Sequence, residues 1–262
     1  MKTCIALLTD FGLQDHYVGV VKGVILSINP DAQIIDICHN ILPQNIKQAA
    51  FILANCYSYF PAQTIFLVVV DPGVGSLRKP IFIETTNYFF IAPDNGVLSY
   101  VFQKEKILNI IDLSDTRFNI VKKSNTFHGR DVFAPLVAHL SKDLNNFKNI
   151  GKIIHLKDLI QLPTPYLDIT NKQIIGEIIY HDIFGNLITS IPENILNHYE
   201  IENIQTGKII IEKVCKTYFD VKTGELLAYI GSSGYLEIGI REGNAKALLK
   251  DVDKIYVNYK SQ

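Results

Sequence analysis

The fold turns on residues 64–84, TIFLVVVDPGVGSLRKPIFIE. The apolar run that ends on Asp71 has the composition of a strand covered on both faces, as in a parallel sheet. Pro72-Gly73-Val74-Gly75 then turns the chain, and the stretch nearly reproduces the dinucleotide pattern G-x-G-x-x-G. Arg78 stands where the third glycine belongs, and the strand-like KPIFIE follows where that pattern needs a helix. What remains after a buried strand is a tight turn carrying a carboxylate and a guanidinium.

Working outward, the flanking segments alternate in type. CIALLTD (4–10) and QIIDIC (33–38) read as further strands, and HYVGVVKGVILSIN (16–29), NIKQAAFILANCYSYF (45–60) and RDVFAPLVAHLSKDL (130–144) carry apolar residues at helical spacing. PIFIETTNYFFIAPDNG (80–96) reads as a hairpin turning at Thr85–Asn87. The order predicts an N-terminal α/β domain over 1–160, with a mostly parallel sheet flanked by helices. In such sheets ligands gather at the carboxyl ends of the strands. LPTPY (162–166) marks a linker over 161–172. From Gln173 onward short strand-like runs dominate (IIGEIIYHD, NLITSI, KIIIEKV, LLAYIG, YLEIGI, KIYVNY), which predicts a smaller antiparallel β-barrel-like domain over 173–262.

Composition sets bounds. The 262 residues are 48% hydrophobic and 19% charged, enough for a sizeable core. A net charge of −1 without a basic run offers no footprint for nucleic acid. Four scattered cysteines (Cys4, Cys38, Cys56, Cys215) read as reduced thiols of a cytoplasmic protein. MKTCIALLTDFG is expected to be a first strand, not a signal peptide, and no apolar run is long enough for a membrane span.

Four stretches break the apolar pattern: TDFGLQD (9–15), VDPGVGSLR (70–78), APDNG (92–96) and NTFHGRDVFAP (125–135). Aspartate before a turn or helix is commonly a cap, so Asp94 is expected to belong to a turn and Asp131 to cap a helix. A lone histidine is more often a packing or surface residue than a catalyst, so His128 gains weight only beside Arg78 and Asp71. His16 and His39 lack a distinctive context. G-K-[ST], G-x-S-x-G and closely spaced zinc ligands are absent, and GSSG (231–234) reads as a hairpin turn.

TDFG, VDPGVGS-x-R, APDNG, TFHGRDVFAP and D-x-FGNL, in this order over most of the chain, resemble the S-adenosyl-L-methionine hydroxide adenosyltransferases, a family related to fluorinase and chlorinase. The resemblance implies hydrolysis of S-adenosyl-L-methionine to adenosine and L-methionine, with no cofactor and no metal. It implies a homotrimer binding substrate between the N-terminal domain of one subunit and the C-terminal domain of its neighbour. It implies an Asp-Arg-His triad at Asp71, Arg78 and His128, with Asp10 on the ribose hydroxyls. Asp15 and Phe127 are expected beside the substrate as well. Asp182, Phe184 and Asn186 would hold the methionine amino group and read the adenine edge. Ser232, Ser233 and Glu237 would grip the amino-acid end, with Asn244 and Ala245 making a backbone contact to adenine. Ser190 is given no role. The related halogenases have tyrosine at the position of Asp71 and a halide-contacting serine at that of Gly129, and fluorinase carries a long insertion after Arg78, so the sequence favours water as nucleophile. The alternatives are a 5′-halogenase on the same fold, a non-catalytic nucleoside-binding protein, and a purely structural Asp71–Arg78 pair.

Overall fold

The computed structural model describes residues 3–118, 120–121, 123–144 and 149–260. The chain divides between Leu162 and Pro163 into two compact units.

In the first unit the elements run β1 (Cys4–Thr9), α1 (Tyr17–Ile28), β2 (Gln33–Cys38), α2 (Ile46–Cys56), β3 (Ile65–Val69), β4 (Pro80–Thr85), β5 (Phe89–Pro93), α3 (Ser99–Phe102), β6 (Ile107–Asp112), α4 (Ala134–Lys142) and β7 (Lys152–Ile153). The sheet order is β2-β1-β3-β5-β4-β6-β7. The pairs β1–β2, β1–β3 and β3–β5 are parallel, while β4, β6 and β7 extend the edge antiparallel. The opening stretch explains the centre of this sheet. Along β3, Ile65, Leu67 and Val69 pack with Val21, Ile25, Leu136 and Leu140 from α1 and α4. Phe66 and Val68, with Val70 just beyond, pack with Ala49 and Leu53 from α2. Period-two alternation with both faces apolar buries every β3 side chain, each worth about 1.5–3 kcal/mol. The hairpin expected at 80–96 is present as β4–β5, with Thr85 N–H donating to the Tyr88 carbonyl.

In the second unit β8 (Leu167–Ile169), β9 (Gln173–His181), β10 (Leu187–Pro192), β11 (Ile201–Thr206), β12 (Ile209–Ile211), β13 (Val214–Cys215), β14 (Leu226–Ile230), β15 (Tyr235–Ile240) and β16 (Lys254–Tyr259) form one barrel-like sheet. All its pairings are antiparallel except β13–β14. Residues 167–169, within the expected linker, pair with β9. Gln161 bridges to Gly96 in the first unit, and Leu162 N–H donates to Ser99 Oγ. KIIIEKV, read as one strand, is split between β12 and β13. β11 escaped the reading because Glu202, Asn203 and Gln205 interrupt its apolar residues.

Among the described residues no helix is long and apolar enough to cross a membrane. The four cysteines are free thiols, and burial pushes Cys56 up to about 12, with Cys38 adding to the rise.

Candidate active site

The turn after β3 does what its glycines suggest. Gly75 has φ +81, and a Cβ there would lie 2.9 Å from the Asn125 carbonyl oxygen, so only glycine fits without strain. The turn folds Arg78 back onto the end of its own strand. Arg78 Nε donates to both Asp71 carboxylate oxygens at 2.9 Å, and Nη2 donates to Oδ2 as well. Both side chains are more than nine-tenths buried. The guanidinium also lies over the Phe133 ring, 5.0 Å from its centroid, which adds cation–π attraction.

The third member arrives from another element. Gly129–Phe133 form a single π-helical turn ahead of α4, with Ala134 N–H reaching back to the Gly129 carbonyl. Such turns are costly and concentrate at functional sites. This one sets His128 at its start, with Nδ1 2.8 Å from Arg78 Nη2. A guanidinium can only donate, so Nδ1 is the acceptor and a neutral His128 carries its proton on Nε2. With Nδ1 accepting from Arg78, the second nitrogen of a neutral ring is a donor. Arg78 and His128 line a cavity of about 520 Å³ together with Ser76, Ser114, Thr116 and Val132.

The TDFG loop meets this cluster through aromatic packing. Phe11 and Phe127 stand edge to face at 5.8 Å, and Tyr17 packs on Phe127 at 5.0 Å. Gly129 lies under both rings: a Cβ there would come within 2.9 Å of Phe11 Cζ. Phe11 and Tyr17 had not been singled out from sequence; their aromatic character beside Asp10 was the available signal. Asp10 accepts the Gln44 N–H at 2.8 Å, and Gln44 holds the strained φ of +66. The buried His39 steadies the same loop, its carbonyl accepting from Gly12 N–H at 2.7 Å and its Nδ1 2.8 Å from Thr9 Oγ1. Asp15 is exposed.

Two aspartates expected to cap or turn do more. Asp131 accepts the Lys123 and Ser124 N–H groups at 3.0 and 2.8 Å and pairs with Arg130 Nε at 2.6 Å, so it braces the loop before the π-helical turn. Arg130 holds its carboxyl below the usual range, outweighing burial. Asp94 is 6% exposed and accepts the Ile160 N–H, and burial raises its pKa. Its neighbour Asn95 ties the turn to the end of β3 by donating to the Val70 carbonyl at 2.8 Å.

The C-terminal candidates gather separately, in a cleft of about 810 Å³ lined by Asp182, Phe184, Asn186, Ser232 and Glu237. Asp182 Oδ1 accepts the Phe184 and Asn186 N–H groups, and Asn186 Nδ2 donates to Oδ2 at 2.7 Å. Phe184 is 73% exposed. GSSG is the β14–β15 turn, and Ser233 Oγ lies 3.4 Å from Glu237 Oε1. Gly231 leaves room for that carboxyl, which a Cβ would meet at 1.8 Å. Asn244 Oδ1 caps a short helix by accepting from Ala247 N–H, and Ala245 behind it is fully buried. Ser190 Oγ accepts from Glu177 N–H and donates to the Tyr166 carbonyl, a latch between strands.

Residues 5–151 match the SAM hydroxide adenosyltransferase N-terminal domain, and residues 176–251 match its C-terminal domain. A protein of Methanocaldococcus jannaschii named (R)-S-adenosyl-L-methionine hydrolase is 38% identical, the alignment covering 97% of this chain and 95% of that one. A hydrolase of the same name from Thermus thermophilus is 31% identical, covering 92% and 93%. A fluorinase of Actinopolyspora mzabensis is more distant, at 23% identity with 90% of each chain covered. The crystal structure of an uncharacterized conserved protein from Thermotoga maritima superposes with a TM-score of 0.88 at 38% identity, covering 97% of this chain and 99% of that chain. With both domain models matched in order over most of its length, the chain belongs to the SAM hydroxide adenosyltransferase family.

Proposed function

We propose that this protein hydrolyses S-adenosyl-L-methionine to adenosine and L-methionine by in-line attack of water on C5′. The hydrolase names of its relatives support the reaction. The observation that carries the reading at residue level is the junction of Arg78 with Asp71 on one side and His128 Nδ1 on the other.

The chemistry suits these groups. As the C5′–O bond forms, the C5′–S bond breaks with its electron pair going to sulfur, and methionine leaves as a neutral thioether. No acid is needed for the leaving group, and the reaction as written calls on no metal. Asp71 fixes Arg78, and Arg78 fixes the His128 tautomer, so that Nε2–H and the guanidinium form a preorganised polar wall for the incoming water. The attacking oxygen becomes strongly acidic once bonded to carbon, so a carboxylate can take its proton, and Asp71 would be that acceptor. Asp10 would accept from the ribose hydroxyls, a task suited to a carboxylate because it can receive two hydrogen bonds. The wider resemblance carries a homotrimer with it, for which sedimentation should return three times the 29.5 kDa chain mass.

Incubation of the purified protein with S-adenosyl-L-methionine, followed by chromatography, should give adenosine and L-methionine in equal amounts. A 5′-halo-adenosine formed in fluoride or chloride would place the chain with the halogenases. Tight retention of intact substrate would make it a binding protein.

A further inference from the structure

The cleft of the second unit contains two tyrosines that neither the motifs nor the proposed reaction use. Tyr218 precedes β14 and Tyr229 lies within it, and both line the cleft. Tyr229 Oη donates to Glu237 Oε2 at 2.8 Å, and the Tyr218 and Tyr229 hydroxyls are directly hydrogen-bonded. Each hydroxyl has one proton. If Glu237 is ionised it can only accept, so the Tyr229 proton points to Glu237 and the Tyr218 proton points to Tyr229. On the far side Asn186 donates to Asp182.

The charge of the cleft gives this arrangement meaning. Asp182, Glu237 and Glu242 line it, and no basic residue does so among the described lining residues. Arg241, the nearest guanidinium in sequence, pairs with Glu242 at 3.6 Å and otherwise contacts the Phe219 ring and the Val221 carbonyl, which leaves Asp182 and Glu237 as the acids with no basic partner among the described residues. Glu237 is 7% exposed, with the Asp182 carboxylate nearby and no ion-pair partner among the described residues. A buried anion of this kind calls for a cationic partner.

We infer that Tyr218 and Tyr229 are positioning residues that hold the Glu237 carboxylate as the counter-charge for the α-ammonium group of an amino-acid ligand, and so set specificity for it. The inference rests on the proposed substrate and deepens that reading of the cleft. Burial raises Glu237, and Asp182 adds to the rise, while Tyr229 and Ser233 oppose it by hydrogen bonding. Removing the Tyr229 hydroxyl therefore favours the neutral acid, which cannot serve as a counter-charge.

The test compares wild type, Tyr218→Phe, Tyr229→Phe and Glu237→Gln. KM and kcat are measured for S-adenosyl-L-methionine and for its analogue lacking the α-amino group, and binding of S-methyl-L-methionine is measured by calorimetry. Each variant should raise KM for S-adenosyl-L-methionine about tenfold, the loss expected for one hydrogen bond to a charged group, with kcat within about twofold. KM for the deaminated analogue should barely move. The Tyr229→Phe penalty should grow as pH falls, because loss of the Tyr229 hydrogen bond raises Glu237 further and the cleft groups around it (Asp182, Glu242, Tyr218 and Tyr229) supply no positive charge to oppose the rise. Equal KM in wild type and both tyrosine variants, or the same rise with both substrates, would overturn the inference while leaving hydrolysis intact. If wild type leaves S-adenosyl-L-methionine unchanged, the proposed reaction fails on its own. The inference then stands only if S-methyl-L-methionine binds wild type about tenfold tighter than the variants, and the absence of such binding refutes it.

Discussion

The Asp71–Arg78–His128 cluster and the Asp182–Glu237 cleft solve opposite electrostatic problems. In the first, Arg78 satisfies a buried carboxylate and fixes a histidine tautomer, leaving a balanced, rigid group. In the second, Asp182 and Glu237 share a cleft whose described lining has no cation, and Glu237 is held by the hydroxyls of Tyr229 and Ser233. A balanced cluster leaves no buried charge unpaired and can aim dipoles at a reaction; an unbalanced one is completed by its ligand. Changes to the first should therefore appear in kcat, and changes to the second in KM.

The largest effect should come from Arg78→Ala. It leaves Asp71 buried without its partner and His128 without its donor, and kcat in a steady-state assay should fall about a hundred- to a thousandfold. An unchanged kcat would return the pair to a structural role. Next is Gly129→Ser, which pushes a Cβ into Phe11. Urea unfolding should show a loss of about 1–3 kcal/mol even though serine is small. Asp131→Ala should cost about 1–3 kcal/mol, because it releases Arg130 and two loop N–H groups. The sign of its pH dependence follows from the lowered carboxyl. In wild type this stabilisation is fully present above the ordinary carboxylate range near 3.9 and fades as pH falls through the lower folded value, so wild type and variant should converge in strong acid. The smallest effect should be that of a chelator, with hydrolysis rates in EDTA matching those without it.

Much of the first unit could be read in the chain because its signals are local. Six apolar residues before Asp71 specify a strand covered on both faces, and Gly75 requires the turn that returns Arg78. The pairing of Arg78 with Asp71 spans one loop, so its spacing was visible. The role of Asp131 was not, since it depends on where residues 123–124 pass in space. Nor was the π-helical turn, which differs from an α-helix by a single inserted residue. Tyr218 and Tyr229 stand in no motif, and only the folded sheet joins their hydroxyls to Glu237.

The central claim is that water attacks C5′ of S-adenosyl-L-methionine within this chain. Reaction in heavy-oxygen water followed by mass spectrometry tests it directly. The account predicts adenosine with one heavy oxygen at the 5′-hydroxyl and unlabelled L-methionine. Adenosine formed without the label, or substrate recovered intact, would contradict it.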